Sequence, residues 1–310
     1  MLRRGLLWLS ERRGVYRFVR RNRLAWRMAS RFVAGETVDN AVAVALSLRD
    51  LTIGATVDFL GESVDAPPAA QAARDQYLAL LGQLKANDLE VNVSVKLTQM
   101  GFDIDEDLCA ANVSAIASKA MEHGGFVRID MESSDYTQRT LDFYRSRIGP
   151  HFGAHTGVVI QSALRRSADD VQRLIADGVR VRLCKGAYLE PPDVAFPKKA
   201  DVDANFITLM ERLLLHGHYP AIATHDERII RHAQGFVAQH GLAADRFEFQ
   251  MLYGVRRDLQ RQLRESGARV RVYIPFGSQW YPYLMRRLAE RPSNVAFMVG
   301  NILREMRPSS

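Results

Sequence analysis

The chain has 310 residues, of which 47% are hydrophobic and 25% are charged, so it is long enough to bury a sizeable core. This composition is typical of a globular protein and excludes a disordered, collagen-like or disulfide-rich chain. The two cysteines have no CxxC spacing and no histidines at ligand spacing around them. We therefore expect no disulfide framework, no metal site and a reducing compartment.

The net charge of +7 is concentrated in a basic arm formed by residues 1–31. This arm contains ten arginines and one glutamate, whereas the rest of the chain carries 32 basic and 34 acidic side chains. Because the main part of the chain is not basic, the charge pattern argues against a nucleic-acid-binding protein. The amphipathic arm could pack on the main domain, lie on an anionic membrane surface, or serve as a transit peptide. No apolar run reaches the roughly 18 residues that a membrane span needs, and no secretory signal is recognisable.

Residues 1–50 are predicted to be helical, and after them short apolar runs alternate with longer amphipathic ones. The predicted strands cover residues 52–60, 89–96, 126–131, 157–161, 179–184, 221–224, 246–252 and 269–274. The predicted helices cover residues 68–86, 107–123, 136–147, 168–177, 203–216, 227–240, 255–265 and 278–291. Strands that are each followed by a helix favour an α/β fold of the (β/α)8 barrel (TIM-like) type. An open doubly wound sheet is the alternative, but no dinucleotide-binding or P-loop motif follows any strand. We predict a helical arm over residues 1–50 and a (β/α)8 barrel over residues 51–310.

Polar side chains occur at the end of every predicted strand, where the chemistry of such a barrel is found. They are Asp58, Glu62, Ser94, Lys96, Arg128, Asp130, Glu132, Gln161, Arg182, Lys185, Tyr188, Thr224, His225, Tyr253 and Tyr273. Any one of them could be an ordinary buried polar group with a satisfied hydrogen bond. Burying Lys96, Asp130 and Arg182 in one cavity without partners or a ligand would cost several kcal/mol. The pattern therefore predicts a ligand pocket at this end of the barrel.

The last predicted helix has an unusual polar face. At about 100° per residue, Tyr283, Arg286, Arg287 and Glu290 share one arc of that helix. Two neighbouring guanidinium groups on a rigid element can bind a carboxylate or phosphate in a bidentate way, although a solvated charged face is the alternative. Together with Lys96 they would suit a small carboxylate.

A second set of residues could line a larger polar cofactor. Its members are Gln161, Arg182, Lys185, Gly186, Ala187, Thr224 and His225. The Gly186-Ala187 step allows a bound group to approach the backbone closely.

Several separated segments occur together in a characteristic order. They are SVKL (94–97), RIDME (128–132), RLCKGAYLEP (182–191), ATHD (223–226), FQMLYG (249–254) and YLMRRLAE (283–290). In this combination, over roughly residues 35–300, the sequence resembles the FAD-dependent proline dehydrogenases of the monofunctional bacterial type. The resemblance implies a distorted (β/α)8 barrel that binds FAD without a covalent bond and oxidises L-proline to Δ1-pyrroline-5-carboxylate. It also implies hydride transfer from proline C5 to flavin N5 and delivery of the electrons to a membrane quinone.

The resemblance implies roles for individual residues as well. Asp130 and Arg182 match active-site positions, and Arg182 would lie near flavin N5, where a cation stabilises developing negative charge. Arg286 and Arg287 would hold the proline carboxylate with help from Lys96. The other positions that match the substrate pocket are Glu62, Tyr188, Leu252, Tyr273 and Tyr283. The positions that match cofactor contacts are Met131, Gln161, Arg182, Lys185, Gly186, Ala187, Thr224, His225 and Glu290.

Two of these positions carry finer expectations. Tyr273 resembles the family tyrosine that crowds C4 of the substrate ring and favours proline over 4-hydroxyproline. Glu62 resembles the acidic partner that pairs with the first arginine of the RR motif, Arg286. The sequence departs from some relatives at Leu189, where they carry an aromatic residue, and in the proline-rich segment 191–199, to which we assign no cofactor role.

We expect a cytoplasmic protein. One hypothesis for the basic arm is that it contacts the inner face of the plasma membrane, where the quinone would be reduced. From the chain length we also expect the product to pass to a separate pyrroline-5-carboxylate dehydrogenase. Two other interpretations remain open. One is a Schiff-base lyase or aldolase on the same barrel, with Lys96 or Lys185 as nucleophile. The other is a degenerate barrel that acts as a membrane- or partner-binding scaffold.

Overall fold

The structure, a computed structural model, describes residues 30–290 and the side chains of residues 30–285. Most of the predicted helical arm, residues 1–29, lies outside the described residues. The same holds for residue 291, the predicted last residue of the final helix.

Parallel strands close into a barrel in the order in which they follow one another along the chain. They are β1 (Gly54–Phe59), β2 (Asn92–Val95), β3 (Phe126–Ile129), β4 (Thr156–Gln161), β5 (Arg180–Cys184), β6 (Ala221–Ala223), β7 (Glu248–Leu252) and β8 (Val270–Phe276). Pairing of β1 with β8, from Gly54 opposite Arg271 to Phe59 opposite Phe276, closes the barrel. Each predicted strand overlaps one of these strands, and the prediction of a (β/α)8 fold is confirmed.

Helices lie between the strands, before the first of them and after the last. They are α1 (Val38–Arg49), α2 (Pro67–Ala86), α3 (Glu106–Glu122), α4 (Ser134–Phe143), α5 (Gly149–Phe152), α6 (Ser167–Ala176), α7 (Lys199–His216), α8 (Glu227–Gln239), α9 (Arg257–Glu265) and α10 (Trp280–Glu290). Side chains cap several of these helices, as their sequences favour. The Asp105 carboxylate accepts a hydrogen bond from the Leu108 amide at the start of α3, and the Asp226 carboxylate accepts one from the Arg228 amide at the start of α8.

Four predicted helices have a boundary that is wrong by two or more residues, and one of them, predicted from residue 255, begins at Arg257. The predicted helix 136–147 begins at Ser134, and after Phe143 it widens into a π-helical turn, Tyr144–Ile148. Pro150, which has no backbone N–H to continue the α-helical pattern, lies two residues after the end of this turn. The helix predicted from residue 203 begins at Lys199, and the one predicted from Ser278 begins at Trp280. Pro282 still lies in the first turn of α10, where a missing N–H is tolerated.

The hydrophobic core lies between the strands and the surrounding helices, whereas the inside of the barrel is polar. Val93, Phe249 and Val272 belong to the core cluster and are fully buried. Residues two apart along a strand point to the same side, so the alternate residues of these strands face inward. Those inward positions include Arg128, Arg182, Glu248, Gln250 and Arg271, all of which are buried. Buried charges of this kind require partners inside the barrel, and they find them there.

The segment before β1 packs on the outside and the C-terminal end of the barrel. Helix α1 packs against β8, β1 and α2. The Ala34 amide donates to the Pro275 carbonyl and the Gly277 amide donates to the Gly35 carbonyl, each at 2.9 Å. Gly254 has a φ of +75°, and a Cβ there would lie 1.7 Å from the Arg31 carbonyl oxygen, so this crossing requires glycine. The predicted domain division at residue 50 stays a prediction.

The start of α10 is attached to the same segment. The indole Nε1 of Trp280 donates a hydrogen bond of 3.1 Å to the Glu36 carboxylate. Across residues 30–290, no helix combines the length and the apolar character that crossing a membrane would require.

Candidate active site

Three of the predicted site residues converge on the carboxylate of Asp130, the residue that follows β3. Arg182 of β5 donates from Nη1 to its Oδ1 at 2.6 Å, and the hydroxyl of Tyr273 of β8 donates to its Oδ2 at 2.9 Å. The ammonium nitrogen of Lys96, which follows β2, lies 3.9 Å from the same Oδ2. A carboxylate is thus surrounded by two cations and a phenol at the C-terminal end of the barrel.

Lys96 is paired with a second carboxylate, that of Asp58 in β1. Its Nζ donates a hydrogen bond of 3.0 Å to Asp58 Oδ1, and the Asp58 side chain is fully buried. Burial lowers the pKa of the lysine, but the charges of Asp58 and Asp130 outweigh it and raise the pKa above its usual value. Burial raises the pKa of the Asp58 carboxyl group, against the opposing effect of Lys96. Lys96 is therefore protonated, and Asp58 holds its ammonium group in place.

The guanidinium of Arg182 is held from three sides. In addition to Asp130, it donates from Nη2 to the Ser94 hydroxyl at 3.1 Å and from Nε to the side-chain carbonyl of Gln250. Its Cζ lies 5.3 Å from the centre of the Tyr273 ring. An arginine has five N–H donors, so two of them have no acceptor among the described residues and can serve a ligand. This arrangement orients a positive charge toward the pocket.

The phenol of Tyr273 is a hydrogen-bond donor that stays neutral. Burial raises its pKa well above the usual value, and the nearby carboxylates of Asp130 and Asp58 raise it further. Tyr273 lies opposite Thr56 in β1 and opposite Leu252 in β7. Its strand therefore lies between β7, which carries Leu252, and β1, which carries Asp58.

The predicted cofactor positions of β4 and β5 lie next to each other. Gln161 Nε2 donates a hydrogen bond of 2.7 Å to the Glu132 carbonyl, and Met131 beside it is buried. Gly186 has a φ of +106°, and a Cβ at this residue would lie 2.9 Å from Gln161 Oε1. Because Gly186 has no side chain, its backbone is exposed. The next residue, Ala187, is half-buried.

Lys185, the residue after β5, reaches toward the end of β6. Its ammonium nitrogen lies 2.6 Å from Asp203 Oδ1 and 3.0 Å from Asp226 Oδ2. Burial alone would raise the pKa of each carboxyl group, but the hydrogen bonds from Lys185 hold both below their usual value. The Asp226 amide in turn donates to the hydroxyl of Thr224 at 3.1 Å.

His225 joins the ends of β6 and β7. Its Nε2 accepts a hydrogen bond of 2.9 Å from the Leu252 amide, so Nδ1 carries the proton of the neutral ring. Leu252 itself is half-buried at the pocket. The contact links a predicted cofactor residue to a predicted substrate residue.

The remaining predicted substrate residues belong to the loops after β1 and β5 and to α10. Glu62 and Tyr188 are half-buried in the loops after β1 and β5. The negative charge of Glu62 contributes to the raised pKa of Lys96, so the two residues are within electrostatic range. Tyr283 is buried in α10. Arg286, Arg287 and Glu290 belong to the same helix, but their side chains lie outside the described part of the chain, so their contacts stay predictions.

Comparison with known proteins identifies the family. A family model described as proline dehydrogenase matches residues 41–299. The chain belongs to the proline dehydrogenase family. It is 43% identical over 309 residues to a proline dehydrogenase of Deinococcus radiodurans, a match that covers 98% of each chain. It is 39% identical over 307 residues to proline dehydrogenase 1 of Bacillus subtilis strain 168, which covers 98% of this chain and all of that protein. The resemblance noted in the sequence, and the prediction of an oxidoreductase of this class, are confirmed.

A solved structure shares the barrel of this proline dehydrogenase family member. It is proline utilization A of Bdellovibrio bacteriovorus, inactivated by N-propargylglycine, with a TM-score of 0.80 and 29% sequence identity. The match covers 89% of this chain and 34% of that one, so the chain spans about a third of the larger protein.

The hydrogen-bond network around Lys96 and Arg182 includes three residues to which the sequence alone assigns no role. The sequence marks Asp58 and Ser94 only as polar residues at strand ends and gives Gln250 no role of its own. A signal for Gln250 exists in the segment FEFQML, where Phe247, Phe249 and Met251 are buried toward the helices and the alternate residues face inward. A glutamine at an inward position of a barrel strand must find hydrogen-bond partners there, which marks it as part of a polar network.

Proposed function

We propose that this chain is a flavin-dependent proline dehydrogenase that oxidises L-proline to Δ1-pyrroline-5-carboxylate and passes the electrons to a quinone. In this reaction proline loses a hydride from C5 and a proton from its nitrogen, and a C=N double bond forms. Membership of the family supports the substrate. The observation that carries the site assignment is the convergence of Lys96, Arg182 and Tyr273 on the Asp130 carboxylate at the C-terminal end of the barrel.

The residues at the C-terminal ends of β4, β5 and β6 fit FAD. Gly186 has a positive φ and no side chain, so a flat group can lie against its backbone, with polar donors around it. When bound, FAD would supply the acceptor of the hydride. The residues that would hold it are Met131, Gln161, Arg182, Lys185, Gly186, Ala187, Thr224, His225 and Glu290. The two N–H groups of Arg182 that Asp130, Ser94 and Gln250 do not use would stabilise negative charge on the ring.

The opposite side of the pocket fits the amino acid. Lys96 is protonated and buried, and with Arg286 and Arg287 of α10 it would bind the proline carboxylate. Tyr273 and Leu252 would flank the pyrrolidine ring, together with Tyr188 and Tyr283. Glu62 would pair with Arg286 and help to close the entrance.

The Schiff-base alternative has less support, because both candidate lysines are ion-paired. A Schiff-base lysine must be neutral to act as a nucleophile, whereas two carboxylates raise the pKa of Lys96. Lys185 lies within 3.0 Å of Asp226 and closer still to Asp203. Borohydride treatment in the presence of a carbonyl substrate such as an α-keto acid should therefore leave no adduct on either lysine, and a reduced adduct found by mass spectrometry would revive this alternative.

We further propose that the basic arm, residues 1–31, holds the protein at the anionic inner surface of the plasma membrane, where the quinone would be reduced. The support is its ten arginines beside the apolar segment LLWL. Sedimentation with anionic lipid vesicles should decrease strongly when residues 1–29 are removed. Unchanged sedimentation would reject the role of the arm.

The product of the proposed reaction, Δ1-pyrroline-5-carboxylate, would be the substrate of a separate pyrroline-5-carboxylate dehydrogenase.

The proposal is tested by the visible absorption spectrum of the purified protein. We expect a flavin spectrum that bleaches on anaerobic addition of L-proline and much less on addition of 4-hydroxyproline. Subsequent addition of a soluble quinone analogue should restore the oxidised spectrum. A colourless protein that neither takes up FAD nor responds to proline would reject the proposed function.

A further inference from the structure

A column of hydrogen-bonded polar side chains runs through the barrel and ends at Arg182. The Nε of Arg182 donates to Gln250, and Gln250 Nε2 donates to Glu248 Oε1 at 2.5 Å. The Nε of Arg271 donates to both Glu248 oxygens at 2.9 and 3.0 Å. The other two nitrogens of Arg271 donate to the Glu90 carboxylate at 2.9 and 3.0 Å, at the opposite end of the barrel from the pocket.

The chemistry of the two neighbours determines how the Gln250 amide is oriented. Burial raises the pKa of Glu248, but Arg271 outweighs it and lowers the pKa to about 2, so Glu248 is an ionised acceptor near neutral pH. Its carboxylate can accept only from the NH2 group of Gln250, and the side-chain carbonyl of Gln250 is then turned toward Arg182. A guanidinium can only donate, so this is the one amide orientation that satisfies both contacts.

The contact from Gln250 supplies a restraint on Arg182 that its other partners do not provide. Asp130 and Ser94 hold the two terminal nitrogens from the β3 and β2 side of the barrel. Gln250 holds Nε from β7, on the other side of β5. With acceptors on both sides, the plane of the guanidinium is fixed. The two unused N–H groups then keep a constant direction.

We propose that Gln250, oriented by the Glu248–Arg271 pair behind it, is a positioning residue that sets the plane of the Arg182 guanidinium for hydride transfer. This inference rests on the proposed function, in which Arg182 stabilises the reduced flavin. Gln250 itself touches neither reactant. Its effect on the reaction is indirect, because it acts only through the hydrogen bond that it accepts from Nε of Arg182.

Two substitutions test this role. Gln250→Leu keeps the approximate volume and removes the acceptor for Arg182. We expect kcat for L-proline to fall about tenfold, with KM changed less than about threefold, because a small displacement of a catalytic group strongly lowers the rate. The reduction potential of the bound flavin, measured by spectroelectrochemistry, should also shift to a more negative value, because the cation is no longer directed at the ring.

Gln250→Glu keeps an acceptor for Arg182 but places a second carboxyl group next to the Glu248 carboxylate. One proton shared between the two carboxyl groups would reproduce the donor and acceptor pattern of the glutamine. The charged and titratable groups around that pair are Arg128, Arg180, Arg182, Arg271, Asp130 and Tyr219. We expect this variant to approach the wild-type rate at low pH and to lose activity as the pH rises, through an ionisation that the wild-type pH profile lacks.

The matched control is Asn112→Leu, which removes the amide of another fully buried residue, one that donates 3.0 Å to the Met100 carbonyl away from the pocket. This variant should keep the wild-type potential and pH profile. A wild-type protein without proline-dependent flavin reduction would reject the proposed function itself. An active wild type together with a Gln250→Leu variant of unchanged kcat and potential would reject only the positioning role. If Gln250→Leu does not fold, a wild-type pH profile for Gln250→Glu has the same meaning.

Discussion

The ammonium group of Lys96 and the carboxylate of Asp58 form a buried ion pair, 3.0 Å apart, on neighbouring strands of the barrel. The side chain of Asp58 is 1% exposed, whereas that of Lys96 is 11% exposed. Asp58 Oδ2 accepts no hydrogen bond among the residues that the structure describes. The charge of Asp58 is therefore balanced chiefly by Lys96, and the pair holds the lysine in place for an incoming carboxylate.

Replacement of Asp58 by asparagine should destabilise the protein and weaken substrate binding together. Removing one partner of a buried pair leaves the other charge uncompensated, at a cost of about 3 kcal/mol in the free energy of unfolding. We expect KM for L-proline to rise at the same time, because Lys96 loses its restraint. Urea unfolding and steady-state kinetics measure the two effects.

Asp177→Asn is the control for the Asp58 substitution. The Asp177 carboxylate lies 3.0 Å from Arg145 Nε in an exposed pair, so its loss should change the free energy of unfolding by less than about 1 kcal/mol. If both variants lost the same small amount of stability, the Asp58–Lys96 pair would have no special importance.

Glu248 should make the stability of the protein depend on acid pH. Its pKa in the folded protein is about 2, against an ordinary value of 4.5, because Arg271 outweighs the effect of burial. A carboxyl group with a lowered folded pKa stabilises the protein above its unfolded pKa, and this contribution disappears as the pH falls toward the folded value. The stability difference between the wild type and Glu248→Gln should therefore shrink by about 2 kcal/mol from pH 5 to pH 3. Urea titrations of both proteins at several pH values check this expectation, and a constant difference would contradict it.

Two substitutions of Tyr273 separate the roles of its ring and its hydroxyl. Tyr273→Phe keeps the ring and removes the donor to Asp130, a hydrogen bond to a charged group that is worth about 1.5–3 kcal/mol. We expect kcat/KM for L-proline to fall by about tenfold or more, while discrimination against 4-hydroxyproline is retained. Tyr273→Ser removes the ring as well, so it should also reduce that discrimination. Equal discrimination in both variants would show that the ring does not limit the space at C4.

A Cβ at residue 186 should exclude the cofactor. In Gly186→Ala the new methyl group would lie 2.9 Å from Gln161 Oε1, on a backbone with positive φ. We expect a folded protein with a strongly reduced ratio of flavin absorbance to protein absorbance. Gly178→Ala is the matched control, because Gly178 also has a positive φ but a Cβ there would have no neighbour within 4 Å. If both variants bound flavin equally well, the backbone step at Gly186 would not be a cofactor contact.

The sequence predicted the barrel and the residues at strand ends because both have local signals. Lys96, Asp130 and Lys185 each directly follow a strand, and the end of an apolar run is visible in a single segment. The partners of these residues are not local. Ser94 and Arg182 are 88 positions apart and meet only because the barrel brings β2 and β5 to face each other. The same holds for Gln250 and Arg182, whose contact depends on the inward side of two strands that are not neighbours.

Element boundaries were predicted less well where tertiary contacts compete with local pattern. The start of α10 is an example, since the apolar and polar pattern alone allowed the helix to begin at Ser278. In the structure the preceding turn contains Gly277, whose amide donates to the Gly35 carbonyl, and the helix begins at Trp280. That contact joins residues 242 positions apart, which no local pattern contains.

The attachment of residues 34–36 to Pro275, Gly277 and Trp280 has a consequence for the order in which the protein is made. Residues 34–36 must wait until residues 275–280 have been synthesised before they find their hydrogen-bond partners. Until β8 is synthesised, the edges of β1 and β7 remain unpaired and open to association with other chains. Contacts of such long sequence separation also slow folding. A ribosome-bound chain that ends before residue 270 should therefore be sensitive to protease, and resistance should be gained in one step once residues 270–280 have emerged.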